Sequence, residues 1–206
     1  MRIPPGCRVY LVDDDAAVRD ALALLLGSYG LPVVPFADAR GFLQSLRADW
    51  RGCLLADIRM PGMDGLALQR HLRESGSALP VIIMTGHGDV ESAREAFRAR
   101  AVDFLEKPID HERLLRAIEE AFAREASARD DQAQRAEFAR RLAVLTPRER
   151  EVMDLVIAGR HNREIAALLN ISARTVEVHK ARMMDKLMVD NIPELVRLSV
   201  GAAGAG

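Results

Sequence analysis

Four apolar runs in this 206-residue chain stop abruptly at residues able to do chemistry. Residues 53–56 (Cys-Leu-Leu-Ala) end at Asp57, just before the turn residues Pro61-Gly62 and Asp64-Gly65; residues 8–12 end at Asp13-Asp14-Asp15. Residues 80–84 end at Thr85-Gly86, and residues 102–105 at Glu106-Lys107-Pro108. A carboxylate at the end of a buried strand is either a site group at the mouth of a sheet or the cap of the turn that follows. If the run ends share one sheet edge, three carboxylates converge there with a hydroxyl and an ammonium. Such acids repel one another and raise one another's pKa unless a cation lies among them. An oxygen-rich set without His or Cys suits a hard ion, Mg²⁺ above all. Lys107 and Thr85 then offer donors to an anion opposite the metal, and a phosphoryl group fits that role.

The elements that would position these residues alternate strictly. Apolar runs at 8–12, 32–36, 52–56, 80–84 and 102–105 read as strands, and segments 16–26, 38–48, 64–75, 89–99 and 110–122 as helices. Five short buried strands separated by helices predict a doubly wound parallel sheet, hence an α/β fold. Asp15 reads as the N-cap of the first helix rather than as a ligand, because one strand end aims about two acids at a site. His87 reads as a loop residue and Cys53 as core.

Taken together, Val12-Asp13-Asp14-Asp15, Asp57 with Met60-Pro61-Gly62-Met63-Asp64-Gly65, Thr85-Gly86-His87 and Lys107-Pro108 resemble the receiver domain of two-component response regulators, over residues 7–123. The resemblance implies a five-stranded, flavodoxin-like sheet in which Asp57 takes a phosphoryl group from a histidine of a sensor histidine kinase. It implies Mg²⁺ held directly by Asp14, Asp57 and the backbone carbonyl of Arg59, with Asp13 acting through a water. Lys107 would contact a phosphoryl oxygen, and its bond to Pro108 would be cis. Thr85 would be drawn to the phosphate while Phe104 turns inward, repacking the face built by residues 89–99, the fifth strand and the helix after it. Arg100 departs from the family, which usually has Gly there, and points to a left-handed cap or a different turn.

Residues 123–141 are rich in Ala, Arg, Asp, Glu and Gln and contain neither Pro nor Gly, which favours a helical connector. It either relays orientation or serves as a solvated spacer. Beyond it, Thr146-Pro147-Arg148-Glu149 is a helix start, with Thr as cap, Pro at the first helical position and Glu completing a capping box. Asn162 is expected to cap residues 163–169. After a three-residue break, Ser172 caps a longer helix to about residue 188, and a last helix covers 193–200. The tight turn between the two middle helices reads as a helix-turn-helix in an all-α domain of four helices.

On a helical wheel of the longer helix, Val176, Met183 and Leu187 pack inward, with Lys180 snorkelling near that stripe. Arg174, Val178, Ala181, Arg182 and Asp185 share the opposite face. An exposed Val and a small Ala beside arginines suit close approach to a DNA groove, where apolar groups meet thymine methyls and Arg or His reaches guanine or phosphate. Glu177 either accepts from cytosine or balances nearby charge. Residues 145–152, 162–166 and 172–179 resemble the LuxR-type DNA-binding domain, and the whole chain resembles a FixJ/NarL-type response regulator. The resemblance implies that Arg174, Thr175, Glu177, Val178, His179, Lys180 and Arg182 include the DNA contacts.

Composition limits the alternatives. The chain is 49% apolar and 29% charged with a net charge of −1, and it holds two cysteines without a CxxC pair. That argues against a disulfide framework, a zinc site and a membrane span, and for a cytoplasmic protein. Residues 142–206 carry nine basic against eight acidic side chains, so bulk charge does not mark them as nucleic-acid binding. The sequence therefore predicts a receiver over 1–123, a helical linker over 124–141 and a DNA-binding domain over 142–206. Phosphorylation would drive formation of a homodimer that binds double-stranded DNA. Two rivals are phosphorylation-independent protein docking to the same module and a Mg²⁺-dependent phosphatase using Asp13 and Asp15; the second leaves residues 146–188 without a role.

Overall fold

A computed structural model describes residues 3–86, 96, 98 and 100–203, with side chains described as far as Val200. The chain divides into two compact units, Met1–Arg129 and Asp130–Gly206. The strands are β1 (Arg8–Val12), β2 (Val33–Phe36), β3 (Gly52–Asp57), β4 (Val81–Thr85) and β5 (Phe104–Glu106). They form one parallel sheet in the order β2-β1-β3-β4-β5. This is the doubly wound α/β sheet that the sequence predicts.

Period-two alternation divides the strands between two cores. Val9 and Leu11 of β1 and Leu55 of β3 face α1 (Ala16–Ser28) and the first turns of α4 (His111–Ala143), packing with Leu26, Leu114 and Ile118. Tyr10 and Val12, with Leu54 and Ala56, face α2 (Ala39–Ser45) and α3 (Gly65–Glu74) against Phe42, Leu68 and Leu72. Asp15 caps α1 by accepting from the amides of Ala17 and Val18, as its type and position predict. Helix α2 is shorter than expected because Leu46 leaves helical backbone, at ψ 132°. The helix expected over residues 89–99 lies outside the described residues except for Ala96 and Arg98, as does His87.

The connector is helical: α4 runs without a break from His111 to Ala143, where no Pro or Gly interrupts it. In the C-terminal unit, α5 (Pro147–Ile157), α6 (Asn162–Leu169), α7 (Ala173–Leu187) and α8 (Ile192–Ala203) enclose Val152, Ile165, Val176, Met183, Leu187 and Leu195. Phe138, in the last turns of α4, belongs to the same core. The Thr146/Glu149 capping box forms as expected. Asn162, however, is the first helical residue and not the cap. His161 holds the cap position, and its amide donates to the Glu164 carboxylate at 2.8 Å.

Candidate functional site

The parallel sheet brings the four run ends to one edge. Asp57 is the last residue of β3 and Thr85 the last of β4, while Asp13 and Lys107 directly follow β1 and β5. Their register is fixed by backbone bonds from Asp13 to Phe36, Ile58 to Met84 and Lys107 to Thr85. The Lys107–Pro108 peptide is cis. Gly65 is required here by close approach: a Cβ at the start of α3 would lie 2.3 Å from the Asp57 carbonyl oxygen.

At the centre, Lys107 Nζ lies 2.6 Å from Asp57 Oδ1 and 2.7 Å from Asp13 Oδ2. The remaining carboxylate oxygens are also bonded. The Arg59 amide donates to Asp57 Oδ2 at 2.7 Å, and the Asp15 amide to Asp13 Oδ1 at 2.9 Å. Asp13, Asp57 and Thr85 are buried. Burial pushes the Asp57 carboxyl above the ordinary carboxylate range, against the opposing pull of Lys107 and the Arg59 amide. Burial alone would lower the Lys107 ammonium, but its bonds to Asp13 and Asp57 outweigh this and hold it above its usual value.

Of the three acids expected at this edge, Asp13 and Asp57 meet at Lys107. Asp14 is exposed to solvent, and among the described residues no three His, Cys, Asp or Glu side chains group closely enough to hold a metal ion. Two buried carboxylates need a cation, and among the described residues Lys107 pairs with both. The donor set still fits a hard dication: it is all oxygen, and each carboxylate oxygen with one partner keeps lone-pair capacity for another. Phe104 is already buried, at 8% exposure, so any switching at this position repacks an interior ring and does not bring one in from solvent. Sequence reasoning missed Arg19, whose guanidinium donates to the Asp13 carbonyl at 2.7 Å and steadies the β1 end. Its only signal was an arginine in the second turn of the helix that Asp15 caps.

On α7, Val176, Met183 and Leu187 are fully buried, as the wheel predicts. Arg174, Glu177, Val178, Ala181, Arg182 and Asp185 are exposed, and Thr175, His179 and Lys180 half-buried. The Thr175 hydroxyl is within 2.8 Å of the Ser172 hydroxyl and so is partly engaged in the cap. Lys186, at the far end of α7, pairs with buried Glu149 at 2.7 Å and locks α7 to the start of α5. That hydrogen bond, with the one from the Thr146 amide, holds the Glu149 carboxyl down at about 2.

A five-stranded 2-1-3-4-5 sheet with acids after β1 and β3 and a lysine after β5, joined to a four-helix unit with a helix-turn-helix, defines a response regulator that carries a DNA-binding output domain. Residues 9–119 match the response regulator receiver domain family, and residues 143–199 match the luxR family of bacterial regulatory proteins. The chain belongs to the FixJ-type two-component response regulators, a family of transcriptional regulators. It is 46% identical over 194 residues to the transcriptional regulatory protein FixJ of Bradyrhizobium diazoefficiens, covering 94% of this chain and 95% of that protein. It is 42% identical over 189 residues to the tetrathionate response regulatory protein TtrR of Salmonella typhimurium, covering 92% and 90% respectively. Among solved structures, the response regulator StyR superposes with a TM-score of 0.78 at 38% identity, over 95% of this chain and 98% of that one. Full-length FixJ from B. japonicum superposes at 0.58 with 44% identity, over 97% and 98%.

Proposed function

We propose that Asp57 is the phosphoacceptor of a transcriptional switch. A sensor histidine kinase presents a phosphohistidine, and an Asp57 carboxylate oxygen bonds to its phosphorus. The P–N bond breaks, and the departing imidazole nitrogen takes up a proton. The observation that carries this reading is the Lys107 ammonium 2.6 Å from the Asp57 carboxylate at the open edge of the sheet. It holds positive charge where negative charge builds on the transferring group. The Arg59 amide fixes the second carboxylate oxygen, so Asp57 meets phosphorus in one orientation. Asp14, Asp57 and the Arg59 carbonyl would hold Mg²⁺ directly and Asp13 through a water; the bound ion neutralises phosphoryl charge.

In this reading Thr85 and Phe104 are the switch pair, both buried beside the site. Thr85 is drawn to the phosphoryl oxygens and the Phe104 ring repacks, favouring a homodimer. Two copies of α7 then enter successive major grooves of double-stranded DNA, with contacts drawn from Arg174, Thr175, Glu177, Val178, His179, Lys180 and Arg182. The receiver is assigned to residues 1–123, the helical linker to 124–141 and the DNA-binding domain to 142–206. Among the described residues no helix is long and apolar enough to cross a membrane. The assignment to the cytoplasm rests on the FixJ-type response regulator family. The phosphatase alternative finds no support, because Asp15 commits its carboxylate to the α1 cap.

Sedimentation velocity on the full chain with acetyl phosphate and Mg²⁺ tests this reading. The phosphodonor should shift wild type from monomer toward dimer and leave Asp57→Asn unmoved. A shift that persisted in Asp57→Asn would refute Asp57 as the trigger.

A further inference from the structure

At the sheet edge opposite Asp57, a cleft of about 350 Å³ opens between the end of α3, the start of β4, the turn before β5 and α4. Three guanidinium-bearing residues line it: Arg73 from α3, Arg100 from the turn, and Arg124 from α4. Among the described residues no acidic side chain lines it, and none pairs with Arg73 or Arg100 there. The walls between them are mostly apolar, with Leu72, Leu79, Val81 and Val102 among them, beside Gln69 and Ser77.

Arg100 is the informative member. Its backbone sits at φ 65°, a left-handed conformation that glycine adopts freely and arginine adopts at a cost. A strained position occupied by a long cation, beside a cleft holding two more, implies that its side chain has a use. Arg124 is paired with Glu120, but both side chains are about half exposed. Such a pair is weak and exchanges readily for a better-placed anion.

We propose that this cleft binds a small organic anion, a carboxylate or phosphate ester on an apolar frame, with its charge against Arg73, Arg100 and Arg124 and its body against the leucines and valines. The volume falls within the range of small-molecule sites, and an apolar pocket with a few convergent polar groups is their usual chemistry. Because Arg124 and Ala128 line the cleft, the bound anion would tie this part of α4 to the base of the sheet. The inference does not depend on chemistry at Asp57.

Isothermal titration of the full chain without Mg²⁺ tests it, using phenyl phosphate as probe and inorganic phosphate and benzyl alcohol as controls. Phenyl phosphate should bind at 1:1 stoichiometry and more tightly than either control. Arg100→Gly relieves the backbone and so should fold at least as well, yet should weaken binding about tenfold or more, as should Arg73→Gln. Asp57→Asn should bind as wild type does. The proposal is overturned by an absence of saturable binding, by equal binding of benzyl alcohol or inorganic phosphate, or by undiminished binding in Arg100→Gly with wild-type thermal stability. Loss of binding in Asp57→Asn would overturn it too, by moving the anion to the other edge of the sheet.

Discussion

The Lys107 ammonium stands 2.6 Å from Asp57 and 2.7 Å from Asp13, a single cation shared by two buried carboxylates on strands that adjoin in the sheet. Either acid alone would leave Lys107 an ordinary ion pair. Together they make Lys107 the group that keeps the edge of the sheet from repelling itself.

Lys107→Met should therefore destabilise the N-terminal unit by roughly 3–5 kcal/mol at neutral pH, the cost of leaving buried charge unpaired. The loss should shrink as pH falls and the carboxylates protonate. Because burial raises the Asp57 carboxyl, the folded form holds this proton to higher pH than the unfolded chain does. The stability this proton confers is thus lost as pH rises from the ordinary carboxylate range through the raised value. Adding Asp57→Asn should recover part of the deficit, and Mg²⁺ should stabilise Lys107→Met more than it stabilises wild type. Urea unfolding across pH and Mg²⁺ concentration reads all three effects.

Glu149 supplies a pH dependence of opposite sign in the C-terminal unit. Its carboxyl is held at about 2 by Lys186 and the Thr146 amide. The stability it confers is complete above the ordinary glutamate range and is lost as pH falls through about 2. Glu149→Gln should cost about 1–3 kcal/mol at neutral pH. It should also flatten the acid limb of the unfolding curve, measured by circular dichroism.

On α7, Arg182 and Val178 separate two kinds of DNA contact. Both are exposed, with Val178 at 42%. Arg182→Ala should weaken binding on all sequences and reduce the salt slope by about one if it neutralises a phosphate. Val178→Asp places a carboxylate at the same face and should abolish operator binding while leaving the fold intact. Fluorescence anisotropy over a salt series distinguishes the two.

What the sequence reveals depends on whether the cause is local. The strand ends, the Asp15 cap, the Thr146/Glu149 box and the buried Val176, Met183 and Leu187 stripe follow from neighbours within a few residues, and all were legible. The linker helix was legible for the same reason, since nothing between residues 111 and 143 breaks it. Lys107 drawing Asp13 to itself was not, because the two lie 94 residues apart and a lysine stem reaches several positions. Arg19 and the close approach at Gly65 likewise depend on how helices sit against strand ends. The His161 cap was missed by one residue because Asn162 is the stronger cap former; the Glu164 carboxylate fixes the choice by taking the His161 amide.

The most direct test of the central claim is the intact mass of the full chain after incubation with acetyl phosphate and Mg²⁺, wild type beside Asp57→Asn. One added phosphoryl group in wild type, absent from the variant and from metal-free samples, is the predicted result. A phosphoryl group that appears equally in Asp57→Asn, or no addition to wild type under any phosphodonor, would contradict it.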